Sequence, residues 1–523
     1  MAQSADLGDQ AVQLERQSPA IQEKQLVLPR QLLVVAFLFI AALGIRLYHI
    51  DKPPLDFHAT RQYRSLIIAR GYYYERLSII PEWKKQVASV NKQRQGVLEP
   101  PVMELLAATG YSLFGGERFW IPRLLSTLVW LIGAGCLYWI ARRIANADAA
   151  LFSTAFFLFL PFTVIVSRSF QPDPLMVMLL LASILAILRY YDQPSRHRLA
   201  IVAILSASAI FVKPVSLFAI YVVFVLLTLH RQGIKKSIIS PGFLVYFLVT
   251  LLPTLLFYVF YGILRPGNLR TQAQASFLPQ LLLNPFFWRG WLNNIHLVVG
   301  FPALIGALVG VLMFRKGLSR VLMLSLWAGY ALFCLVFNYH IATHDYYHLQ
   351  LVPIVALSLG PLAALIVERL EDINQEWYWR IAIWPILLLA LLLSLGVSRS
   401  WLLNPEVESK VRAAQDVGEL VNHSTNTIYL ASDYGLSLEY HGELSGRPWP
   451  LISDLEWERL AGVPTPDAKA RFNDWFANDS PRYFIVMDLR ELEQQRDLKA
   501  FLTQSFSISA QDDDFIIFDL QRR

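Results

Sequence analysis

Uninterrupted apolar runs, separated by short polar or basic stretches, fill most of the chain between residues 31 and 401. They lie near 31–50, 119–140, 149–168, 173–191, 199–213, 214–230, 242–264, 296–314, 320–341, 349–368 and 381–401. A helix of about 20 apolar residues crosses a bilayer's hydrocarbon core, so the pattern predicts about eleven transmembrane helices. The runs are continuous rather than alternating, which argues against a membrane β-barrel. The 199–213 run is short, and Lys213–Pro214 reads as a helical hairpin tip or a kink. After residue 401 the pattern changes. Short β-like runs (Thr427–Ala431, Tyr483–Met487, Phe515–Phe518) alternate with helical stretches such as 453–460 and 490–503, which predicts a small α/β domain. Asp512–Asp513–Asp514 reads as its hairpin turn rather than as a metal site. The expected organisation is a polar N-terminal segment (1–30), a helical membrane domain (31–401) and an α/β domain (402–523).

Composition sharpens this picture. Of 523 residues, 55% are hydrophobic and 16% charged, with a mean hydropathy of +0.41. Soluble globular chains carry about 25% charge, so a soluble cytosolic enzyme is excluded. Residues 402–523 hold 21 acids and 12 bases, against 34 bases and 19 acids in the rest. The basic excess belongs to membrane loops and does not point to nucleic acid. Cys136 and Cys334 both sit inside apolar runs and indicate neither a zinc cluster nor a redox compartment.

The first apolar run lacks a small-residue cleavage site and reads as an uncleaved anchor. Arg142–Arg143, Arg196–Arg198, Arg231/Lys235/Lys236 and Arg315/Lys316/Arg320 occupy alternate short loops. Putting these in the cytoplasm places the N-terminus inside and, with an odd number of spans, the C-terminal domain outside. A bacterial inner membrane fits this sidedness.

An ionisable residue at membrane depth costs roughly 2.5–3.5 kcal/mol on insertion scales, so its position is informative. Asp56, His58, Arg61, Glu99, Arg168, Asp173, Lys213, His340, His344, Asp345 and His348 all fall on the external side. That clustering points to a site at the membrane interface. Asp56 lies just ahead of a surface helix beginning near Arg61–Gln62; it is either an N-cap or a general base held ionised by Arg61. Glu99 precedes Pro100–Pro101 and opens the helix 101–114, where its charge would also favour the helix's positive end. Asp173 caps a helix or binds ligand, and Lys213 snorkels or contacts a phosphate. His340, His344 and His348 would share a helix face if the helix continued, a spacing that can hold a metal; a turn with hydrogen bonding to a lipid phosphate is the favoured reading. The chain contains neither a Walker A sequence nor a Rossmann fingerprint.

At these markers the sequence resembles the membrane-embedded glycosyltransferases of the GT-C superfamily. Within it, the sequence looks like the protein O-mannosyltransferase and lipid A aminoarabinose transferase group. The resemblance rests on Asp56-Phe-His58 with Arg61-Gln62, on Glu99-Pro100-Pro101, on Phe211-Val-Lys213-Pro214 and on His344-Asp-Tyr-Tyr-His348 leading to Pro353. Phe57 stands where many members have a second carboxylate, and histidines replace an arginine often found at the last external corner. The resemblance implies a polyprenyl-phosphate-linked sugar as donor, a lipid, glycan or protein hydroxyl as acceptor, and an inverting displacement. Asp56 would be the base; Arg61, Lys213, His344 and His348 would face the donor phosphate. His58, Glu99, Asp173, Tyr346 and Tyr347 would contact the sugar or acceptor. No cofactor is required, and use of a divalent metal stays open. The competing classes are a lipid-linked sugar flippase or other transporter, which would place polar groups along a midplane path, and a membrane scaffold, which leaves the acidic markers without a role.

Overall fold

The computed structural model describes residues 31–264, 276–373, 407–460, 464–476 and 480–521, with 392, 393, 395–400 and 403 between them. The polar segment 1–30 and most of the 381–401 run lie outside the described residues. Among those described, six helices are long and apolar enough to cross a membrane: Trp120–Ile144, Asp173–Asp192, Pro214–Gln232, Pro241–Gly262, Leu318–Val336 and Asp345–Arg369. Pro285–Val298 and Phe301–Met313 make a seventh if counted as one span, bent by 91°. Gln31–Leu47, Val102–Leu113 and Ala147–Phe159 are shorter apolar helices.

Apolar runs and spans therefore do not correspond one to one, and two backbone devices account for much of the difference. The 149–168 run breaks at Leu160–Pro161 into Ala147–Phe159 and Pro161–Val166, because proline has no N–H to continue the ladder. Arg46 repairs the break from the first helix. It donates to the Leu158 carbonyl (2.8 Å), the Thr163 carbonyl (3.4 Å) and Ser167 Oγ (2.6 Å), and it is fully buried. The 296–314 run bends at Gly300, whose φ of +78° suits glycine. Lys213–Pro214 is likewise a break: Arg196–Val212 ends at an extended Lys213, and a short 3₁₀ turn leads into Leu217–Gln232.

Small residues let spans approach closely. A Cβ at Gly329 would lie 2.7 Å from Ala219 Cα, so these helices touch backbone to backbone. Pro241–Val259 instead leaves Leu244, Leu248, Leu252 and Leu256 exposed, the surface a lipid-facing helix presents.

The loop after the first helix folds into Ala59–Tyr74, Glu82–Arg94 and Val102–Leu113. The first of these was expected to lie along the bilayer surface. It is held between Val102–Leu113 and the helix Leu436–His441. Arg70 donates to both Glu117 oxygens (3.0 and 3.1 Å) and stacks 3.6 Å over Tyr440, while Tyr63 Oη meets His441 Nε2 at 2.8 Å. Lys84 pairs with Glu443 at 2.8 Å, and Asn91 donates to the Leu444 carbonyl at 2.9 Å.

Residues 407–520 carry a five-stranded mixed sheet: β1 (Thr427–Leu430), β2 (Gly446–Pro448), β3 (Tyr483–Val486), β4 (Ser507–Gln511) and β5 (Ile516–Asp519), in the order β2-β1-β3-β5-β4. β1 pairs in parallel with β2 and β3; β5 is antiparallel to β3 and β4. Alternation sends Tyr429 and Ile485 to one face, under Val407–Leu420, and Ile428, Phe484 and Phe518 to the other, under Leu498 and Leu502. Glu439, on the helix after β1, is buried among these elements. It accepts from Tyr429 Oη (2.8 Å) and from Gln95 Nε2 (3.2 Å). Burial lifts its carboxyl to about 8 despite the Tyr429 bond and nearby Arg94.

Candidate active site

The charged residues that the sequence placed on one side assemble at one end of the bundle into two adjoining ion-pair systems. In the first, Asp56 receives Arg123 Nη2 on both oxygens at 3.0 Å, with Arg168 Nε 3.9 Å away. Gln62 Nε2 donates to Asp56 Oδ1 (3.2 Å) and to the Phe57 carbonyl (2.5 Å), and Gln62 Oε1 accepts the Phe170 N–H (3.0 Å). Arg168 in turn donates to the Tyr48 and His49 carbonyls (2.6 and 2.8 Å). The carboxylate is thus fixed by Gln62, six residues on, and by Arg123 from a helix distant in sequence, with Arg168 nearby, while its four lone-pair positions exceed the donors directed at it.

In the second system, Arg61 Nη2 donates to both Glu99 oxygens (3.1 and 2.9 Å). Lys213 Nζ reaches Asp173 Oδ1 at 2.7 Å and Glu99 Oε1 at 3.6 Å. Tyr346 and Tyr347 cover these cations: Lys213 Nζ lies 5.2 and 4.9 Å from their ring centres, and Arg61 lies 5.6 Å from that of Tyr346. Burial pushes the Glu99 carboxyl up, but Arg61, then Lys213 and Arg64, outweigh it and hold the group at about 2. Glu99 is therefore a permanent anion and a poor proton acceptor at neutral pH. Arg61 Nη1 and Nε make no hydrogen bond among the described residues, so part of this guanidinium is uncommitted.

His58 joins the two systems. It follows Asp56 by two residues, packs its ring 5.0 Å from Tyr346, and meets Asp345 Oδ1 at 2.6 Å through Nε2. Its own φ of 41° turns the chain sharply into helix Ala59–Tyr74.

The structure brings Asp56, His58, Arg61, Glu99, Asp173, Lys213, Tyr346 and Tyr347 together, and it corrects three expectations. The cation on Asp56 is Arg123, not Arg61, which is committed to Glu99. His348 does not face the cluster. It is fully buried, its Nε2 donates to the Ile341 carbonyl (2.9 Å) and its Nδ1 accepts from Tyr330 Oη (2.6 Å). His344 stays beside Tyr346, with ring centres 5.4 Å apart, but burial and the nearby His58 and Arg61 depress its pKa to about 4. It can offer a phosphate a hydrogen bond, not a positive charge, at neutral pH. The three histidines share no helix face, because the chain is extended at His344 before the 3₁₀ turn Asp345–Gln350. Among the described residues no group of three or more His, Cys, Asp or Glu side chains is placed to hold a metal ion.

Sequence reasoning missed Arg123 and Gln62 as site residues. Arg123 is a cation in the first turn of a span, buried to 2% exposure. Its place inside the 119–140 run, at the same end as the other markers, was the available signal.

Helices able to cross a membrane, a loop folded into helices and a charged cluster at the same end of the bundle describe an integral membrane protein. Residues 98–257 match the family described as dolichyl-phosphate-mannose-protein mannosyltransferase. The fold is similar to that of ArnT from Cupriavidus metallidurans in the apo state, at 16% identity and a TM-score of 0.58, covering 92% of this chain and 97% of that one. It is also similar to the Archaeoglobus fulgidus oligosaccharyltransferase, at 11% identity and a TM-score of 0.56, covering 91% of this chain and 71% of that one. No curated protein matches in sequence.

Proposed function

We propose that this protein is an inverting glycosyltransferase that moves a monosaccharide from a polyprenyl-phosphate carrier to a hydroxyl acceptor at the extracytoplasmic membrane face. The observation that carries the reading is the pairing of a rigidly fixed carboxylate, Asp56, with a partly uncommitted guanidinium, Arg61, in the same cluster. Support comes from structures of the same fold solved with undecaprenyl phosphate, for the Cupriavidus protein, and with a dolichol-phosphate, for the archaeal one.

The acceptor oxygen attacks the anomeric carbon as the bond from that carbon to the phosphate oxygen breaks. The acceptor's proton passes to Asp56, and the lipid phosphate leaves with its charge against Arg61 and Lys213. Arg123 and Gln62 keep the carboxylate aimed, Glu99 and Asp173 position the two cations, and His58, Tyr346 and Tyr347 line the sugar side. His344 donates a hydrogen bond to phosphate. The N-terminus lies in the cytoplasm of a bacterial inner membrane, and the sheet-bearing region lies outside.

The test incubates purified protein with a panel of polyprenyl-phosphate sugars and membrane extract, following donor loss and sugar transfer by mass spectrometry. Loss of a general base costs about 10²–10⁴-fold, so Asp56→Asn should lower transfer by at least about 100-fold with its folding unchanged. A variant that keeps wild-type turnover would remove Asp56 from the base role.

A further inference from the structure

Helix Ala59–Tyr74 carries Arg61 and Gln62 in its first turn, yet that turn starts poorly anchored. Among the described residues no side chain caps it, its N-cap His58 has a φ of 41°, and the turn holds no acidic residue. The N–H groups at a helix start lack helical partners, so an uncapped turn frays unless packing fixes it. Beyond the bonds of the site itself, a polar tie to this turn comes from the α/β region. His441 Nε2 meets the hydroxyl of Tyr63 at 2.8 Å, and Tyr63 is fully buried and follows Gln62 directly. His441 is the last of three consecutive residues that grip different parts of the loop after the first helix. Glu439 accepts from Gln95 Nε2 (3.2 Å), the Tyr440 carbonyl accepts from Arg70 Nη1 (2.5 Å), and His441 takes Tyr63. The Gln95 contact leads to the other half of the site. The Gln95 and Gly96 carbonyls accept Arg64 Nη2 (3.2 and 3.1 Å), one turn after Arg61, and Glu99 follows Gly96 by three residues. One short helix, Leu436–His441, thus holds both segments whose charges meet as Arg61 and Glu99. That helix is itself firmly seated. Asp433 accepts the Gly435 and Ser437 N–H groups at its start (3.1 and 2.9 Å), and Tyr429 Oη of β1 donates to Glu439 (2.8 Å). A Cβ at Gly418 would collide with the Gly442 carbonyl oxygen, so Val407–Leu420 passes its end in backbone contact.

We propose that His441 is a positioning residue for the transfer reaction: acting through Tyr63, it holds the first turn of Ala59–Tyr74 so that Gln62 keeps Asp56 aimed and Arg61 stays paired with Glu99. The inference rests on the transferase reading and gives the α/β region a part in it from outside the charged cluster. The tie matters because the bonds it protects are short. Gln62 donates to Asp56 at 3.2 Å and accepts the Phe170 N–H at 3.0 Å, so a turn displaced by about 1 Å breaks both. Misplacement of that size can cost about 10²-fold in rate. Burial, and then Arg70, depress the His441 imidazole to about 3, so the ring is neutral at physiological pH and the tie is a hydrogen bond between uncharged groups. A glutamine amide can make the same bond from nearly the same place; an alanine cannot.

The test compares the full chain in nanodiscs with His441→Ala, His441→Gln and Tyr63→Phe. Turnover of the sugar donor accepted from the polyprenyl-phosphate panel is resolved into kcat and KM. Hydrogen exchange is read in peptides covering residues 59–66 and strands β1 and β3. His441→Ala and Tyr63→Phe should each lower kcat by about tenfold, with the donor KM within about twofold of wild type. Both should raise exchange in 59–66 while the strands stay as protected as in wild type. His441→Gln should keep at least about half of the wild-type kcat, because its amide replaces the ring nitrogen. Tyr63→Phe keeps the buried ring, so it stays informative if His441→Ala fails to fold. Unchanged kcat in Tyr63→Phe and His441→Ala, or a glutamine variant as slow as the alanine one, would overturn the proposal. Strands that lose protection alongside 59–66 would also overturn it, by making His441 a support of the α/β region alone. If the wild type transfers no sugar, the transferase reading fails and exchange alone decides the positioning: protection of 59–66 lost with alanine and kept with glutamine sustains it, and protection unchanged with alanine overturns it.

Discussion

Replacing Glu99 by glutamine removes one charge from the Arg61–Glu99–Lys213 system without changing its shape, and the structure sets the size of the effect. The Glu99 carboxyl falls from the usual 4.5 to about 2, with burial opposing and Arg61 dominating the favourable side. At about 1.36 kcal/mol per pH unit, that displacement corresponds to about 3 kcal/mol of stability. Because the folded pKa is depressed, the contribution is fully present above pH 4.5 and is lost as pH falls through about 2. Glu99→Gln should therefore lower the melting temperature by several degrees in detergent at pH 7. The gap to wild type should stay constant down to about pH 5 and close below pH 4. The assay is differential scanning fluorimetry across that pH series, with Arg61→Met and the double variant completing a cycle whose coupling should exceed about 1 kcal/mol. A gap that closes between pH 7 and pH 5, or additive single variants, would refute the reasoning.

Glu439 should behave with the opposite sign. Its pKa is raised to about 8 by burial, so its stabilising proton is fully present below the usual 4.5 and is lost as pH rises through 8. Glu439→Gln should raise the melting temperature at pH 8 and leave it unchanged near pH 4. Lys213→Met leaves Asp173 buried without its cation (2.7 Å) and should destabilise by about 3–5 kcal/mol; adding Asp173→Asn should recover most of that loss in the same melting assay. His344→Gln should keep transfer within about threefold of wild type and remove no acid limb between pH 5.5 and 8, because the ring is already neutral there; a limb near pH 6.5 lost with the imidazole would contradict this. Arg70→Met should raise hydrogen exchange in residues 436–446, whose hold on helix Ala59–Tyr74 runs through Tyr440, while exchange in Trp120–Ile144 stays unchanged.

The sequence was most informative where one property decided the outcome. Hydropathy located the apolar helices, since burial in lipid needs little besides length and apolarity, and charge position gathered the markers at one bundle end. It was least informative about which charge meets which. Arg61 is five residues from Asp56, yet it turns to Glu99; Asp56 is met by Arg123, brought in by packing of a distant span. No spacing rule encodes such a pairing. The histidine series shows the same limit of spacing: its i, i+4, i+8 pattern has meaning only on a continuous helix, and the backbone at His344 is extended into the turn that was the favoured reading. Hydropathy did not show where a helix breaks inside a run, because it is blind to a missing N–H, as at Pro161, and to a reversal in φ, as at Gly300.

The Arg46 contacts bear on how the chain is made. Its guanidinium serves the Leu158 carbonyl, just before the proline break, in a medium that offers no water, and adds a second donor to the Thr163 carbonyl that Ser167 N–H already meets. The broken helix therefore cannot reach its final shape in lipid by itself, because its hydrogen bonding is completed by a side chain synthesised more than a hundred residues earlier. Biogenesis acquires an order from this: the first helix must already be in place when the segment around Pro161 leaves the insertion machinery, so that the kink forms against a waiting donor rather than bare acyl chains.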